Sequence, residues 1–188
     1  EDFQKYANRK KGMFSWYKGL NKFLEKIDKK QRKMWKWIKR FKRKVSMNQW
    51  NYFVTFTCDP KKHTEESFKK KLRKCLSNLH TRRSWKYMGV WERAPKTNRL
   101  HFHGLFNIPD GTMPGEIIEV KDFDTRAYKM QTSYQNTYFN ERFGRSDFKE
   151  INPYEYRLGN AISYLIKYLE KSNSMADIGT GSGILAIC

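Results

Sequence analysis

The chain has 188 residues, which is enough for one compact domain with an extension but short for two independent ones. Its 39 Lys and Arg residues outnumber the 19 Asp and Glu residues, so the formal net charge is +20, and 16% of the residues are aromatic. This composition favours nucleic acid as the partner, because phosphates attract cations and bases stack on flat rings, whereas the absence of an apolar run near ~20 residues excludes a membrane span.

A basic helix is the first predicted element. Apolar residues recur at steps of three and four from Leu20 to Val45, and the segment Lys29–Lys44 holds ten Lys or Arg residues. We interpret this helix as a DNA-contacting extension; a solvated basic face, a calmodulin-like target or a membrane-surface helix are the alternatives. The side chains predicted to contact DNA are Trp35, Lys36, Trp37, Lys39, Arg40 and Arg43.

The remaining elements predict an α+β fold with a central antiparallel sheet flanked by helices. Alternating apolar and polar runs predict strands, and a helical period with Thr64 as N-cap predicts the helix between the first two. In chain order the predicted elements are a strand over Trp50–Thr57, a helix over Thr64–His80, an antiparallel hairpin of Lys86–Arg93 and Leu100–Ile108, a less regular section over Pro109–Pro153 with a hairpin near Arg142–Arg145, and a helix over Tyr156–Lys171. The helices are expected on one face of the sheet.

Two histidines lie one residue apart in the strand sequence RLHFHGLF. His101 and His103 therefore point to the same face of the strand. If the hairpin turn is centred between Lys96 and Thr97, Glu92 lies opposite His101 and the three side chains converge. Two imidazoles and a carboxylate would suit Mg²⁺ or Mn²⁺, and Zn²⁺ would also bind tightly. The alternative is a polar patch on a half-buried strand.

The closing helix carries two tyrosines one turn apart. Leu158, Ile162, Leu165 and Leu169 form the apolar stripe of this helix, so its tyrosines belong to a different face. Tyr164 and Tyr168 lie on that face together with Lys167 and Lys171. A phenol beside an ammonium group and a metal ion can attack phosphorus covalently, and a polar face that only contacts DNA is the alternative.

Three motifs, in order, resemble those of the HUH endonucleases, in particular the rolling-circle replication-initiation (Rep) proteins of phages, plasmids and single-stranded DNA viruses. FVTFT at Phe53–Thr57 resembles the first Rep motif, and HFHG at His101–Gly104 resembles the His-hydrophobe-His motif. YLIKYLEK at Tyr164–Lys171 resembles the doubled Tyr-x-x-Lys motif of two-tyrosine phage initiators. Glu92 stands where the family has its third, acidic metal ligand.

The resemblance implies a fold related to the ferredoxin-like arrangement and a metal-dependent enzyme that nicks single-stranded or extruded origin DNA. Tyr164 would form a 5′-phosphotyrosine link and leave a free 3′-OH. Tyr168 would act in a second strand transfer, Lys167 would stabilise phenolate and phosphate, and Lys171 would contact DNA. The host replication machinery is the expected partner, with no membrane and no small-molecule substrate. A non-catalytic DNA-binding domain, a relaxase and a single-tyrosine transposase are the competing interpretations.

The cysteines and the C-terminal segment complete the prediction. Cys58, Cys75 and Cys188 are widely spaced, which predicts free thiols and a cytoplasmic location in the bacterial host. The glycine-rich tail resembles the first strand and turn of an S-adenosylmethionine-dependent methyltransferase, but it is too short to build a cofactor site. The predicted division is a basic extension (residues 1–47), a catalytic domain (48–173) and an atypical tail (174–188), interpreted as truncated or foreign.

Overall fold

The computed structural model describes residues 2–95, 97–124, 128–151 and 159–167, and side chains from residue 18 onward apart from those of residues 37 and 124. Its helices and strands follow each other in this order: α1 Asp2–Ser46, β1 Tyr52–Thr57, α2 Glu65–Arg83, β2 Lys86–Arg93, β3 Leu100–Asn107, β4 Ile117–Asp124, β5 Lys129–Asn136, α3 Thr137–Phe143 and β6 Ser146–Glu150. Residues 159–167 form a further helix, α4. The chain divides into two compact units, Glu1–Phe41 and Lys42–Cys188.

The second unit is built on a four-stranded sheet with the order β2-β3-β1-β6. Every neighbouring pair in this sheet is antiparallel. β4 and β5 form a separate two-stranded antiparallel sheet. The predicted α+β fold with a central antiparallel sheet flanked by helices is therefore confirmed.

The core lies on one face of the sheet, where α2 and α3 cover it. Alternate side chains of β1, Val54 and Phe56, point into this core, and Phe68 and Leu72 of α2 meet them there, all fully buried. Phe139 of α3 packs on Phe56 with ring centroids 4.8 Å apart. Burying each such side chain contributes about 1.5–3 kcal/mol, so this face supplies most of the stability of the sheet.

The opposite face of the sheet is covered by α4, which corrects the expectation that all helices lie on one face. Phe53 alternates with Val54 and so points away from the core, and its ring lies 5.8 Å from that of Tyr164 in α4. Within α4, Leu165 is fully buried whereas Asn160, Tyr164 and Lys167 are exposed, as the predicted stripe requires. Amphipathic period alone identifies the apolar side of a helix but not the side of the sheet that receives it.

Two predicted segments differ from the structure. The section predicted as irregular contains the β4–β5 hairpin and α3, whose polar and exposed strands lack the apolar alternation used to find strands. The hairpin expected near Arg142–Arg145 is instead the end of α3, where Gly144 has φ +112° and leads into β6. A Cβ at Gly144 would lie 2.8 Å from the carbonyl oxygen of Thr57, so the close approach to β1 also requires glycine.

Helix ends are satisfied by side chains next to them in space. Thr64 caps α2 as predicted, since its hydroxyl accepts a hydrogen bond from the Ser67 amide at 3.3 Å. The last carbonyls of α3 accept from two side chains of the loop before α2: Lys62 binds those of Asn140 and Glu141, and His63 Nε2 lies 2.6 Å from that of Arg142. A cation beside these carbonyls also suits the negative end of the helix dipole.

Other features of the described residues agree with the composition. Cys58 and Cys75 are free cysteines, as predicted, and Cys188 lies outside the described residues. None of the helices that the structure describes has a stretch both long enough and apolar enough to cross a bilayer.

Candidate active site

The β2–β3 hairpin has the register that the turn position predicts. Glu92 pairs with His101 across the two strands, and Val90 pairs with His103. The two imidazoles therefore project from the same face, with ring centroids 5.8 Å apart and nearly parallel planes. This face is the one that lies away from the core.

Two threonines of β1 orient the histidine rings. β1 pairs with β3 so that Thr55 lies opposite His103 and Thr57 lies opposite His101. The Thr55 hydroxyl is 2.9 Å from His103 Nδ1, and the Thr57 hydroxyl is 3.0 Å from His101 Nδ1. With Nδ1 engaged in each ring, Nε2 is the nitrogen left to act on a ligand.

Glu92 forms a direct contact with one of the two rings. Its Oε2 lies 2.9 Å from His103 Nε2, and both side chains are almost completely buried. A short contact between a buried carboxylate and an imidazole fixes both groups. Burial lowers the pKa of the His101 imidazole, and neighbouring His103 lowers it further while Glu92 raises it. His101 therefore stays neutral at pH 7, the form in which imidazole binds metals.

The donor set fits a divalent ion in its chemistry, although the side chains are not gathered around one point. No group of three His, Cys, Asp or Glu side chains in the described part of the chain is arranged to hold a metal ion. The reason is visible at Glu92, whose carboxylate sits against His103 Nε2 instead of beside both rings. Two imidazoles with hydroxyl-bonded Nδ1 atoms and a nearby carboxylate are nevertheless the nitrogen and oxygen donors that such ions accept.

Tyr164 stands directly over this group of side chains. Its ring meets that of His103 edge to face, with centroids 5.4 Å apart and planes at 85°. Phe53 supports the same ring from a second side, at 5.8 Å. The side chain of Tyr164 is 39% exposed, so its phenol is held in place and still open to a ligand. Lys167 follows one turn later and is also exposed.

A groove of about 1120 Å³ begins at Tyr164 and Thr55 and continues along the β6 edge of the sheet. Aromatic rings line much of it, among them Tyr52, Phe53 and Tyr134. Rings on an open groove offer stacking surfaces to unpaired bases. Asp147 also lines this groove, and its buried Oδ1 has no hydrogen-bond partner among the described residues.

The predicted DNA contacts divide by what the structure describes. In α1, Trp35 is 57% exposed, and Lys36, Lys39, Arg40 and Arg43 are exposed as well. The apolar residues Phe23, Leu24 and Ile27 of the same helix are exposed too, which differs from a buried stripe. The side chain of Trp37 lies outside the described part of the chain, as do Tyr168 and Lys171.

One comparison with known proteins identifies the family. Residues 51–173 match the family model of the replication-associated protein ORF2. The chain belongs to that family. No curated protein and no solved structure matches the chain. Membership indicates a role in replication and an interaction with DNA, and the matched residues contain β1, the β2–β3 hairpin and α4.

Four side chains at this site were absent from the predicted site residues. Thr55 and Thr57 could have been found, because both belong to the FVTFT strand and point to one face of it. Their register against the histidines depends on a pairing between strands that are distant in sequence, which periodicity does not supply. Phe53 and Asp147 carried no signal of their own.

Proposed function

We propose that this replication-associated protein is a nicking and joining enzyme that cuts single-stranded or extruded origin DNA by tyrosine attack. The observation that carries the proposal is the position of Tyr164, edge-on to His103 at 5.4 Å and partly exposed. A tyrosine held over a pair of oriented histidines combines a nucleophile with groups that can bind a phosphate or its metal ion.

In the proposed reaction the Tyr164 oxygen loses its proton to solvent and attacks the phosphorus of the scissile phosphodiester. The new bond joins the phenol oxygen to phosphorus, and the bond from phosphorus to the 3′ oxygen breaks. The departing oxygen takes up a proton and becomes a free 3′-OH, while the phosphate remains linked through its 5′ oxygen to the strand and now to Tyr164. Reversal by a 3′-OH rejoins the strand and releases the tyrosine.

The neighbouring side chains have distinct parts in this proposal. An ordinary phenol has a pKa of ~10, so formation of the phenolate needs nearby positive charge. Lys167, one turn from Tyr164 in α4, supplies an ammonium group for the phenolate and the phosphate. His103 carries the ring against which Tyr164 rests, so it also positions the nucleophile.

His101, His103 and Glu92 are proposed to hold a divalent cation, Mg²⁺ or Mn²⁺. When bound, such an ion would polarise the scissile phosphate. Thr55 and Thr57 keep the two rings turned so that Nε2 is presented. Glu92 would have to turn from its contact with His103 Nε2 to share the ion. Burial keeps His101 neutral by lowering its pKa, which favours coordination at neutral pH.

The second tyrosine is proposed as the nucleophile of a second strand transfer. Tyr168 lies one turn beyond Tyr164 in sequence and falls outside the described residues. Two nucleophiles in one chain would allow cutting and rejoining without release of DNA. Replication of this kind implies a location in the host cytoplasm and host replication proteins as partners.

The deciding experiment is incubation of the full chain with labelled single-stranded oligonucleotides and Mn²⁺, followed by a denaturing gel. We expect a protein–DNA adduct that survives SDS, requires the metal and disappears in Tyr164→Phe/Tyr168→Phe. Tyr128→Phe is the matched control, because this tyrosine is 83% exposed and lies outside the site. If Tyr164→Phe alone nicks normally, the assignment of the first nucleophile is wrong.

The competing function is a DNA-binding domain without catalysis. The basic composition and the exposed cations of α1 fit it equally well. Intact binding with no adduct, over an oligonucleotide pool that contains the cognate origin, would establish this alternative. A relaxase or transposase would give the same adduct, so the cut site and the rejoined product separate those enzymes from a replication initiator.

A further inference from the structure

A second pocket lies on the α2 and α3 side of the sheet. It has a volume of about 530 Å³ and is open to solvent. The helix α2 supplies most of its lining, and α3 supplies Tyr138, Arg142 and Phe143. Because α2 and α3 cover the core face of the sheet, this pocket and the candidate active site are on opposite faces. No part of the proposed reaction uses it.

The lining of this pocket is strongly basic. Five of its residues are Lys or Arg, and none of the described residues that line it is Asp or Glu: Lys71, Lys74, Arg82, Arg83 and Arg142. All five are exposed. Burial raises the pKa of the Cys75 thiol and of the Tyr138 phenol, so these two lining groups also stay neutral and leave the positive charge uncompensated.

Helix stability explains only part of this charge. Arg82 and Arg83 belong to the last turn of α2, where cations stabilise the helix dipole, and Arg83 also donates to the carbonyl oxygen of Thr112. Lys71 and Lys74 lie two turns or more before that end, where the dipole gives no such reason. Clustered like charges repel one another, so their convergence on one pocket indicates an anionic ligand.

Arg142 is already organised to meet such a ligand. Its guanidinium lies over the ring of Tyr138, 4.1 Å from the centroid, which leaves the N–H edges of the guanidinium available for hydrogen bonds. Tyr138 is in turn held by Cys75, whose sulfur lies 3.8 Å from the phenol oxygen. A planar guanidinium on a fixed ring, with two flexible lysines across the pocket, matches the oxygens of a phosphodiester backbone.

We propose that this basic pocket, on the opposite face of the sheet from Tyr164, binds the phosphate backbone of a second stretch of the DNA. The ligand is DNA because the chain belongs to a replication-associated family, and the proposal does not depend on cleavage. A single protein would then hold the strand at the active site and a flanking segment on its other face. Lys71, Lys74 and Arg142 contact phosphates without reading sequence.

The test compares two charge-matched variants of α2 in the full chain. Lys71→Gln/Lys74→Gln removes two charges from the pocket, and Lys70→Gln/Arg73→Gln removes two from exposed positions of the same helix that do not line it. Binding of a fluorescent single strand of about 30 nucleotides is measured by anisotropy over a range of salt concentrations. EDTA is present throughout, so no cleavage occurs and failure of the nicking reaction cannot affect the result.

The expected result is a change in the salt dependence of binding. Each phosphate contact contributes about 0.7 to the slope of log K against log salt for a single strand, so losing two contacts lowers the slope by about 1.4. We expect this change in the pocket variant and a slope close to the original in the matched control. Equal slopes in the two variants would overturn the proposal.

Lysine acylation with mass spectrometry gives an independent readout on the unmodified protein. Bound DNA should protect Lys71 and Lys74 from acylation, whereas Lys70 stays reactive. Polyglutamate of equal charge serves as an anion without phosphates. Protection by DNA alone supports the backbone site. Equal protection by polyglutamate, or no protection of Lys71 and Lys74 by DNA, would contradict it, and the former result would indicate an acidic protein as the partner.

Discussion

The hydroxyl of Thr55 lies 2.9 Å from Nδ1 of His103, across the pairing of β1 with β3. Thr57 makes the same contact with His101 two residues further along, at 3.0 Å. Each histidine is thus held by a hydroxyl on the neighbouring strand, and the repeat of two residues on both strands makes the two contacts equivalent. Partners of this kind set the orientation and the tautomer of an imidazole ligand.

We predict that Thr55→Val weakens binding of Mn²⁺ about 10–100-fold, because valine keeps the shape of threonine but cannot hold Nδ1. Isothermal titration calorimetry on the full chain measures this affinity. Thr57→Val should have an effect of the same order through His101. Thr132→Val is a suitable control, since Thr132 lines the groove but lies on β5. Unchanged affinity in both β1 variants would exclude a role of these hydroxyls in metal binding.

The hairpin that carries the histidines was predictable from sequence to the residue. The position of the turn sets the register, and strand alternation then assigns Glu92, His101 and His103 to one face. The contact between Glu92 and His103 was not predictable, because side chains on one face can adopt several rotamers. The roles of these residues as ligands stay predictions.

The relation between separate elements was harder to predict. The period of α4 identifies Leu165 as buried and Tyr164 as lying on another side, but nothing local says which face of the sheet the helix covers. The basic pocket was missed for the same reason. Its cations come from α2 and α3, which are far apart in sequence, and within α2 they resemble an ordinary solvated face.

A pair of glycines at the centre of the hairpin provides a stability test. Gly89 pairs with Gly104, and a Cβ on Gly89 would lie 2.6 Å from Cζ of Phe102, as well as too close to the His103 carbonyl. We expect Gly89→Ala to lower the free energy of unfolding by about 1–3 kcal/mol, because neither the backbone nor the packed ring can move freely. Urea denaturation measures the change.

The control for this prediction is Gly159→Ala in α4. A Cβ at Gly159 meets nothing within 4 Å, so alanine is expected to be neutral or to stabilise the helix by about 0.5–1 kcal/mol. If both alanine variants are equally stable, the close approach of β2 and β3 at Gly89 does not limit the packing of this hairpin.

The two described cysteines should react slowly. Burial raises the pKa of both the Cys58 and the Cys75 thiol, so each has less reactive thiolate at pH 8 than a free cysteine. We predict slower alkylation by iodoacetamide at both positions than in the urea-unfolded chain, resolved by peptide mass spectrometry. The difference should narrow as the pH rises towards the raised pKa values. Alkylation of native Cys75 at the rate of the unfolded chain would show that its thiol is not held in a buried contact with Tyr138.

The lowered pKa of His101 predicts how stability changes with pH in the metal-free protein. In the unfolded chain this imidazole has a pKa near 6.5, and burial lowers it in the folded state. Between those two values the unfolded chain binds more protons, so folding stability is highest above about pH 6.5 and falls as the pH decreases towards the folded value. Urea denaturation in EDTA from pH 8 to pH 5 should therefore show a smaller loss of stability in His101→Gln than in the original chain. An equal loss in both proteins would mean that His101 titrates alike in the folded and unfolded states, and that burial against His103 does not keep it neutral.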